Sequence, residues 1–281
     1  MIPQEFDYSA PATLQEALQL IADGERKVLA GGMSLVPLMK LRLAQPEHIV
    51  DIARIPDLNH ITESGGVVHI GATATHHEIE SSTVIRGRCP LLAEAASHIG
   101  DTQVRNMGTI GGSIAHADPA ADYPASLLAL EAKIRIASAK SDRLVAASNF
   151  FLDAFTTAVE PGEMVVEILV NSEEPLEGYR YEKVPHPASG FAVVGIAARI
   201  KKSGGKIALA RIGVTGLAAH AFRATEAERL LESGADIATA AAVVPQGHEP
   251  NADLYASADY RRHLARVWAA RALTVALSRA S

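Results

Sequence analysis

Apolar positions along the chain recur in two rhythms, and the balance between them changes once. Leu14, Ala17, Leu18 and Ile21 fall on one helical face; Thr13 and Glu16 form a capping pair at its start and Gly24 closes it. Short runs at Val28–Ala30, Ile49–Ile52, Val67–Ile70, Lys133–Ala137 and Met164–Val170 alternate or run apolar as strands do. Leu35–Leu43, Pro90–Ile99 and Pro124–Leu130 read as helices, each with a proline in its first turn, where a missing N–H is tolerated. After Pro175 three strands follow one another, Tyr179–Val184, Phe191–Ile200 and Ile207–Val214, and then three helices, Phe222–Leu231, Ile237–Val244 and Asp259–Ser278. The pattern predicts an α+β protein with a larger N-terminal part, residues 1–175, and a three-stranded meander backed by helices, residues 176–281. The boundary is expected near Asn171–Leu176.

Composition adds exclusions. With 48% hydrophobic and 21% charged residues over 281 positions, the chain has the apolar surface to offset its conformational entropy, so dominant disorder is excluded. Every apolar stretch is cut by a charge, Pro or Gly well short of the ~18 residues of a membrane span. The start has neither the basic nor the apolar region of a secretory signal, and a cytoplasmic location is expected. Cys89, the one cysteine, excludes an intrachain disulfide, a zinc ribbon and a self-contained cysteine-ligated iron–sulfur cluster. Charge is split: residues 1–175 hold 23 acidic and 12 basic side chains, a balance of −11, and residues 176–281 hold 9 and 14, a balance of +5. No basic cluster is interleaved with aromatics, so nucleic acid is not an expected partner. The basic end is either a separately solvated surface or a docking face.

Four Gly-Gly doublets divide into two kinds. Gly65-Gly66 and Gly204-Gly205 sit between strand patterns and read as hairpin turns. Gly31-Gly32 and Gly111-Gly112 are flanked by apolar residues and small hydroxyls, which is poor turn chemistry. Such pairs arise either from tight backbone packing or from a ligand brought close to main-chain N–H groups. Neither matches a Rossmann or Walker fingerprint. Other polar groups carry blander readings. His116, Asp118 and Asp122 lack further ligands in sequence for a metal shell, His76 and Glu80 read as an exposed polar helix face, and Cys89 reads as a buried apolar residue.

The ordered set Ala30-Gly31-Gly32-Met33-Ser34-Leu35, Arg42-Leu43, Val50-Asp51-Ile52, Ile70-Gly71-Ala72-Thr73 and Arg105 through Ser113 resembles the FAD-binding subunits of molybdenum hydroxylases, such as the medium subunit of carbon monoxide dehydrogenase and the flavin domain of xanthine dehydrogenase. The resemblance runs from about Phe6 to the C-terminal helix. It implies a two-lobed FAD-binding domain of the molybdopterin dehydrogenase type, followed by a domain like the C-terminal one of the carbon monoxide dehydrogenase flavoprotein. It assigns FAD to Leu29, Ala30, Gly31, Gly32, Met33, Ser34 and Leu35, and to Thr109, Ile110, Gly111, Gly112 and Ser113, through backbone N–H groups and Ser34. Ile99 is implied to pack on the cofactor, Asp122 to hydrogen-bond it, Leu169 to line the isoalloxazine and Lys183 to lie near the flavin; Tyr181 and Phe191 are both positioned to stack on the ring. Met33 and Ser113 depart from the family, whose members often carry a polar side chain and an Asn there.

The same resemblance implies an electron-transfer subunit in which no residue need be a general acid or base. A large molybdopterin-binding subunit would hydroxylate the substrate, and a small 2Fe–2S subunit would pass electrons to FAD for an external acceptor. The expected assembly is a dimer of heterotrimers. Two further readings stand beside it. A stand-alone FAD-dependent oxidase or dehydrogenase would need a substrate domain, for which the residues after Pro175 are few. A module that has lost its flavin is at odds with the intact Gly31-Gly32 and Gly111-Gly112.

Overall fold

Strand β1 (Asp7–Ser9) leads into α1 (Leu14–Leu20) in the computed structural model, which describes residues 2–172, 174 and 177–280. Thr13 starts α1 as its sequence requires: the hydroxyl accepts from Glu16 N (3.2 Å) while the Glu16 carboxylate accepts from Thr13 N (3.3 Å). β2 (Lys27–Leu29), α2 (Leu35–Lys40) and β3 (His48–Asp51) complete a small lobe with a parallel sheet in the order β1-β3-β2.

The second lobe begins with β4 (Ile61–Ser64) and β5 (Val67–Gly71), joined by the Gly65-Gly66 turn. Six short helices follow: α3 (His76–Ser81), α4 (Thr83–Arg88), α5 (Pro90–Ser97), α6 (Thr102–Met107), α7 (Ile110–His116) and α8 (Asp122–Ala129). Strands β6 (Lys133–Ser138), β7 (Asp142–Ala146), β8 (Phe151–Asp153), β9 (Thr156–Thr157) and β10 (Glu163–Asn171) come next. The main antiparallel sheet has the order β4-β5-β10-β6-β7. One face buries Val68, Ile70, Ile134, Ile136, Ile168 and Val170 against Leu91, Leu92, Ile110, Ile114 and Leu127 of the helices. The other face, at Ala137, Met164 and Val166, packs on Ala17, Leu18, Val50 and Ile52 of the first lobe. A bulge between Val165 and Glu167 lets β10 serve both.

The C-terminal unit comprises β11 (Glu177–Pro185), β12 (Ala192–Ser203), β13 (Lys206–Thr215), β14 (Phe222–Arg223), α9 (Thr225–Glu232), α10 (Ile237–Val243) and α11 (Ala258–Arg279). Its sheet is antiparallel in the order β11-β12-β13-β14. Strand β12 is buried from Ala192 to Ile200 because both faces are covered. Ala265, Ala269, Ala272, Leu273 and Ala276 of α11 join the core with Val194, Ile196 and Ile200. On the other side α8 lies so close that a side chain at Gly213 would overlap the Ala125 carbonyl.

The α+β class holds, with two differences in detail. Phe222 and Arg223 do not open a helix. They pair with Val214 and Gly213 as a fourth strand, and α9 starts only at Thr225. The helix after Ser34 stops at Lys40, since Arg42 takes a left-handed φ of 59°. The expected boundary at 171–176 falls partly on residues outside those described.

Candidate functional site

The first glycine segment leaves β2 with its donors unspent. Leu29 O accepts from Ile52 N (2.9 Å), which ends the sheet pairing. From Ala30 to Leu35, six consecutive backbone N–H groups have no hydrogen-bond partner among the described residues; Val36 N is the first to turn back, onto Gly32 O (3.0 Å). Ser34 stands at the N-cap of α2 without a capping bond. The two glycines serve different needs. Gly32 has a left-handed φ of 72°. Gly31 packs flat on the Met107–Gly108 peptide, where any side chain would overlap Met107 O. Unpaired main-chain N–H groups in a row are a ready site for an anion.

The second segment behaves differently, which corrects the expectation that both donate through their backbones. Thr109 caps α7 with its hydroxyl, accepting from Gly112 N (3.1 Å). Ile110 N donates to Ala74 O (3.0 Å), Gly111 N to Ala72 O (2.9 Å) and Ser113 N to Thr109 O (2.9 Å). What remains is a glycine surface, the Thr109 N–H and the half-buried Ser113. That surface faces the first segment: a Cβ on Gly112 would meet Ala30 Cβ at 4.0 Å. Gly111 is glycine because a Cβ there would lie 2.6 Å from Ala72 O.

Asp122, Lys183 and Ile99 are brought together at the joint between α8 and the C-terminal sheet. Asp122 is 4% exposed, and its carboxylate accepts from the Tyr181 hydroxyl (2.6 Å) and Lys183 Nζ (2.9 Å). Burial pushes this carboxyl above its usual range, opposed by the Lys183 charge and the two hydrogen bonds. Lys183 Nζ also donates to His98 O (2.9 Å), fixing the chain just before Ile99, and Arg105 holds Ile99 O and Gly100 O (3.2 Å each). Both carboxylate oxygens are thus engaged within the protein, and the Lys183 charge is already paired. Tyr181 is fully buried and offers no open ring face, whereas Phe191 is 43% exposed.

Leu169 is not brought into this group. It lies opposite His69 and Lys133 on the face of β10 away from Ile168 and Val170, which point into the core. The part of β10 beside the glycine segments is Val166, whose O accepts from Ala72 N (3.0 Å). His76, read as part of an exposed face, is instead 4% exposed and hydrogen-bonded to the Tyr123 hydroxyl at 3.2 Å. Its signal was present in Thr75 and Glu78, a second capping box that fixes where α3 begins.

Residues 4–171 match the family model for the FAD binding domain in molybdopterin dehydrogenase, and residues 179–276 match that for the CO dehydrogenase flavoprotein C-terminal domain. The carbon monoxide dehydrogenase medium chain of Hydrogenophaga pseudoflava is 41% identical over 99% of each chain. The 6-hydroxypseudooxynicotine dehydrogenase complex subunit alpha of Paenarthrobacter nicotinovorans is 38% identical, covering 100% of this chain and 97% of that one. Among solved structures, a carbon monoxide dehydrogenase from Hydrogenophaga pseudoflava lacking the Mo-pyranopterin moiety of its cofactor superposes with a TM-score of 0.97 at 42% identity, covering 100% of both chains. No helix among the described residues is long and apolar enough to cross a membrane. With both family models matched end to end across the two units, this chain belongs to the FAD-binding medium subunits of the molybdenum hydroxylases, the family of the carbon monoxide and xanthine dehydrogenases.

Proposed function

We propose that Ala30 through Leu35 hold the pyrophosphate of FAD, with Gly112 and Ser113 forming the facing wall and Ile99 packing on the cofactor. The observation that carries this is the run of six N–H groups without a partner among the described residues, set against the bare backbone of Gly112. The part of the chain that carries it has a balance of −11, so long-range attraction does not recruit the anion, and local N–H donors must. Met33 is 39% exposed, and its backbone N–H is one of the six, so the apolar side chain removes no donor from the row. FAD supplies the capacity to take electrons one at a time and release two. The chain's own residues bind and orient it. Lys183, neutralised by Asp122, acts by fixing His98 and Ile99 rather than by charge on the ring.

The division at residues 1–175 and 176–281 is retained as two domains. In this reading the medium subunit sits with a large molybdopterin-binding subunit and a small 2Fe–2S subunit, as a dimer of heterotrimers in the cytoplasm. Purified with its partners, the protein should show flavin absorbance bands and release stoichiometric FAD on denaturation. Gly31→Ala, which overlaps Met107 O, should abolish retention of FAD. Absent flavin bands in the unaltered protein, or full FAD content in the variant, would contradict the assignment.

A further inference from the structure

His76 belongs to neither glycine segment, yet its ring touches the point where they meet. On one side Nδ1 is hydrogen-bonded to the Tyr123 hydroxyl at 3.2 Å, with ring centroids 5.3 Å apart. On the other side is Gly108, whose carbonyl accepts from His76 N (2.9 Å). A Cβ on Gly108 would fall 2.6 Å from His76 Nε2 and 2.9 Å from Cδ2. Gly108 has φ −64° and ψ 141°, a conformation open to any residue, so its own dihedrals do not demand glycine; the imidazole is the nearest obstacle to a side chain there, with Val104 O at 3.1 Å a milder second one. The Met107–Gly108 peptide that this ring backs is the surface on which Gly31 rests, and Thr109 follows it directly. Tyr123 in turn follows Asp122, the residue that joins α8 to Lys183 and Tyr181.

We infer that His76 is a positioning residue of the cofactor site: wedged between Tyr123 and Gly108, its ring sets the Met107–Gly108–Thr109 turn and thereby the spacing of the two glycine segments. This rests on the reading of those segments as the FAD site. Because Asp122 and Tyr123 form the first turn of α8, the same turn ties that spacing to the seat of the C-terminal sheet.

The test is an FAD titration of the full complex after removal of its flavin, read by fluorescence quenching, with visible circular dichroism of the bound flavin as the geometric readout. Tyr123→Phe, which deletes only the hydroxyl, should weaken FAD binding about fivefold. His76→Ala should weaken it by about tenfold or more and change the dichroism, and His76→Asn, which keeps a polar atom near Nδ1, should recover part of the loss. Gly108→Ala should also weaken binding, but the Gly108→Ala/His76→Ala double variant should lose less than the sum of the two single losses, because the nearest obstruction is gone. Unchanged affinity and dichroism in His76→Ala and Tyr123→Phe would overturn the inference, as would strictly additive losses in the double variant. Should His76→Ala fail to fold, Tyr123→Phe decides. An unaltered complex that takes up no FAD would overturn the site reading instead.

Discussion

A buried neutral imidazole makes stability depend on pH. Burial, with the Arg105 charge a smaller cause, lowers the His76 pKa from 6.5 to about 4. Below pH 6.5 the unfolded chain binds a proton that the folded chain refuses until about pH 4. The contribution is therefore complete above pH 6.5 and is lost as pH falls towards 4, amounting to about 2 kcal/mol between pH 7.5 and pH 5. His98 and His116 are shifted down by burial too, so the total slope is steeper. Urea unfolding at the two pH values should show a smaller difference in His76→Asn; an unchanged difference would contradict this account. At this scale the glycine doublets were legible as special, because their flanks rule out ordinary turns. Which of their N–H groups stay free was not legible: the answer lies in Ala72, Ala74 and Ile52, residues brought there by the tertiary fold.

Helices and strands with a repeating apolar face were read correctly, as α1, α5, α11, β10 and β12 show. The misreadings are elements held by tertiary contacts rather than by period. Helix α7 contains Gly111 and Gly112, each costing about 1 kcal/mol of helix propensity, and exists because Thr109 caps it and its first N–H groups bond Ala72 and Ala74. Strand β14 has two residues, too few to display alternation. Helix α3 depends on its cap in a way that can be measured. Thr75 N donates to Glu78 Oε2 (2.7 Å), and Glu78 N to the Thr75 hydroxyl (3.2 Å). Thr75→Ala should lower unfolding free energy by about 1 kcal/mol. It should also weaken FAD binding, since α3 carries His76; a stability loss with unchanged FAD affinity would separate the cap from the site.

Across the whole molecule, the joint between the two units contains a buried ion pair, Asp122 with Lys183, closed by Tyr181. Side-chain exposures of 4% and 1% leave neither charge access to water. Lys183→Met strands the carboxylate, and chemical denaturation should show a loss of about 3–5 kcal/mol. Adding Asp122→Asn should restore part of it; a Lys183→Met variant as stable as the parent would show that the joint is held elsewhere. The change from mixed to consecutive strands and the charge split both fall near the place where the two matched family models, residues 4–171 and 179–276, meet. The joint was not legible in the sequence, because Asp122 and Lys183 are 61 positions apart and nothing in either neighbourhood names the other.

The N–H groups of Ala30–Leu35, without partners among the described residues, are the proposed seat of FAD. A crystal structure of the chain in its complex with FAD bound tests that assignment directly. The pyrophosphate oxygens should lie within hydrogen-bonding distance of several of those N–H groups, with Gly112 and Ser113 on the opposite side. A cofactor seated elsewhere, with the Ala30–Leu35 N–H groups bonded only to water, would contradict it.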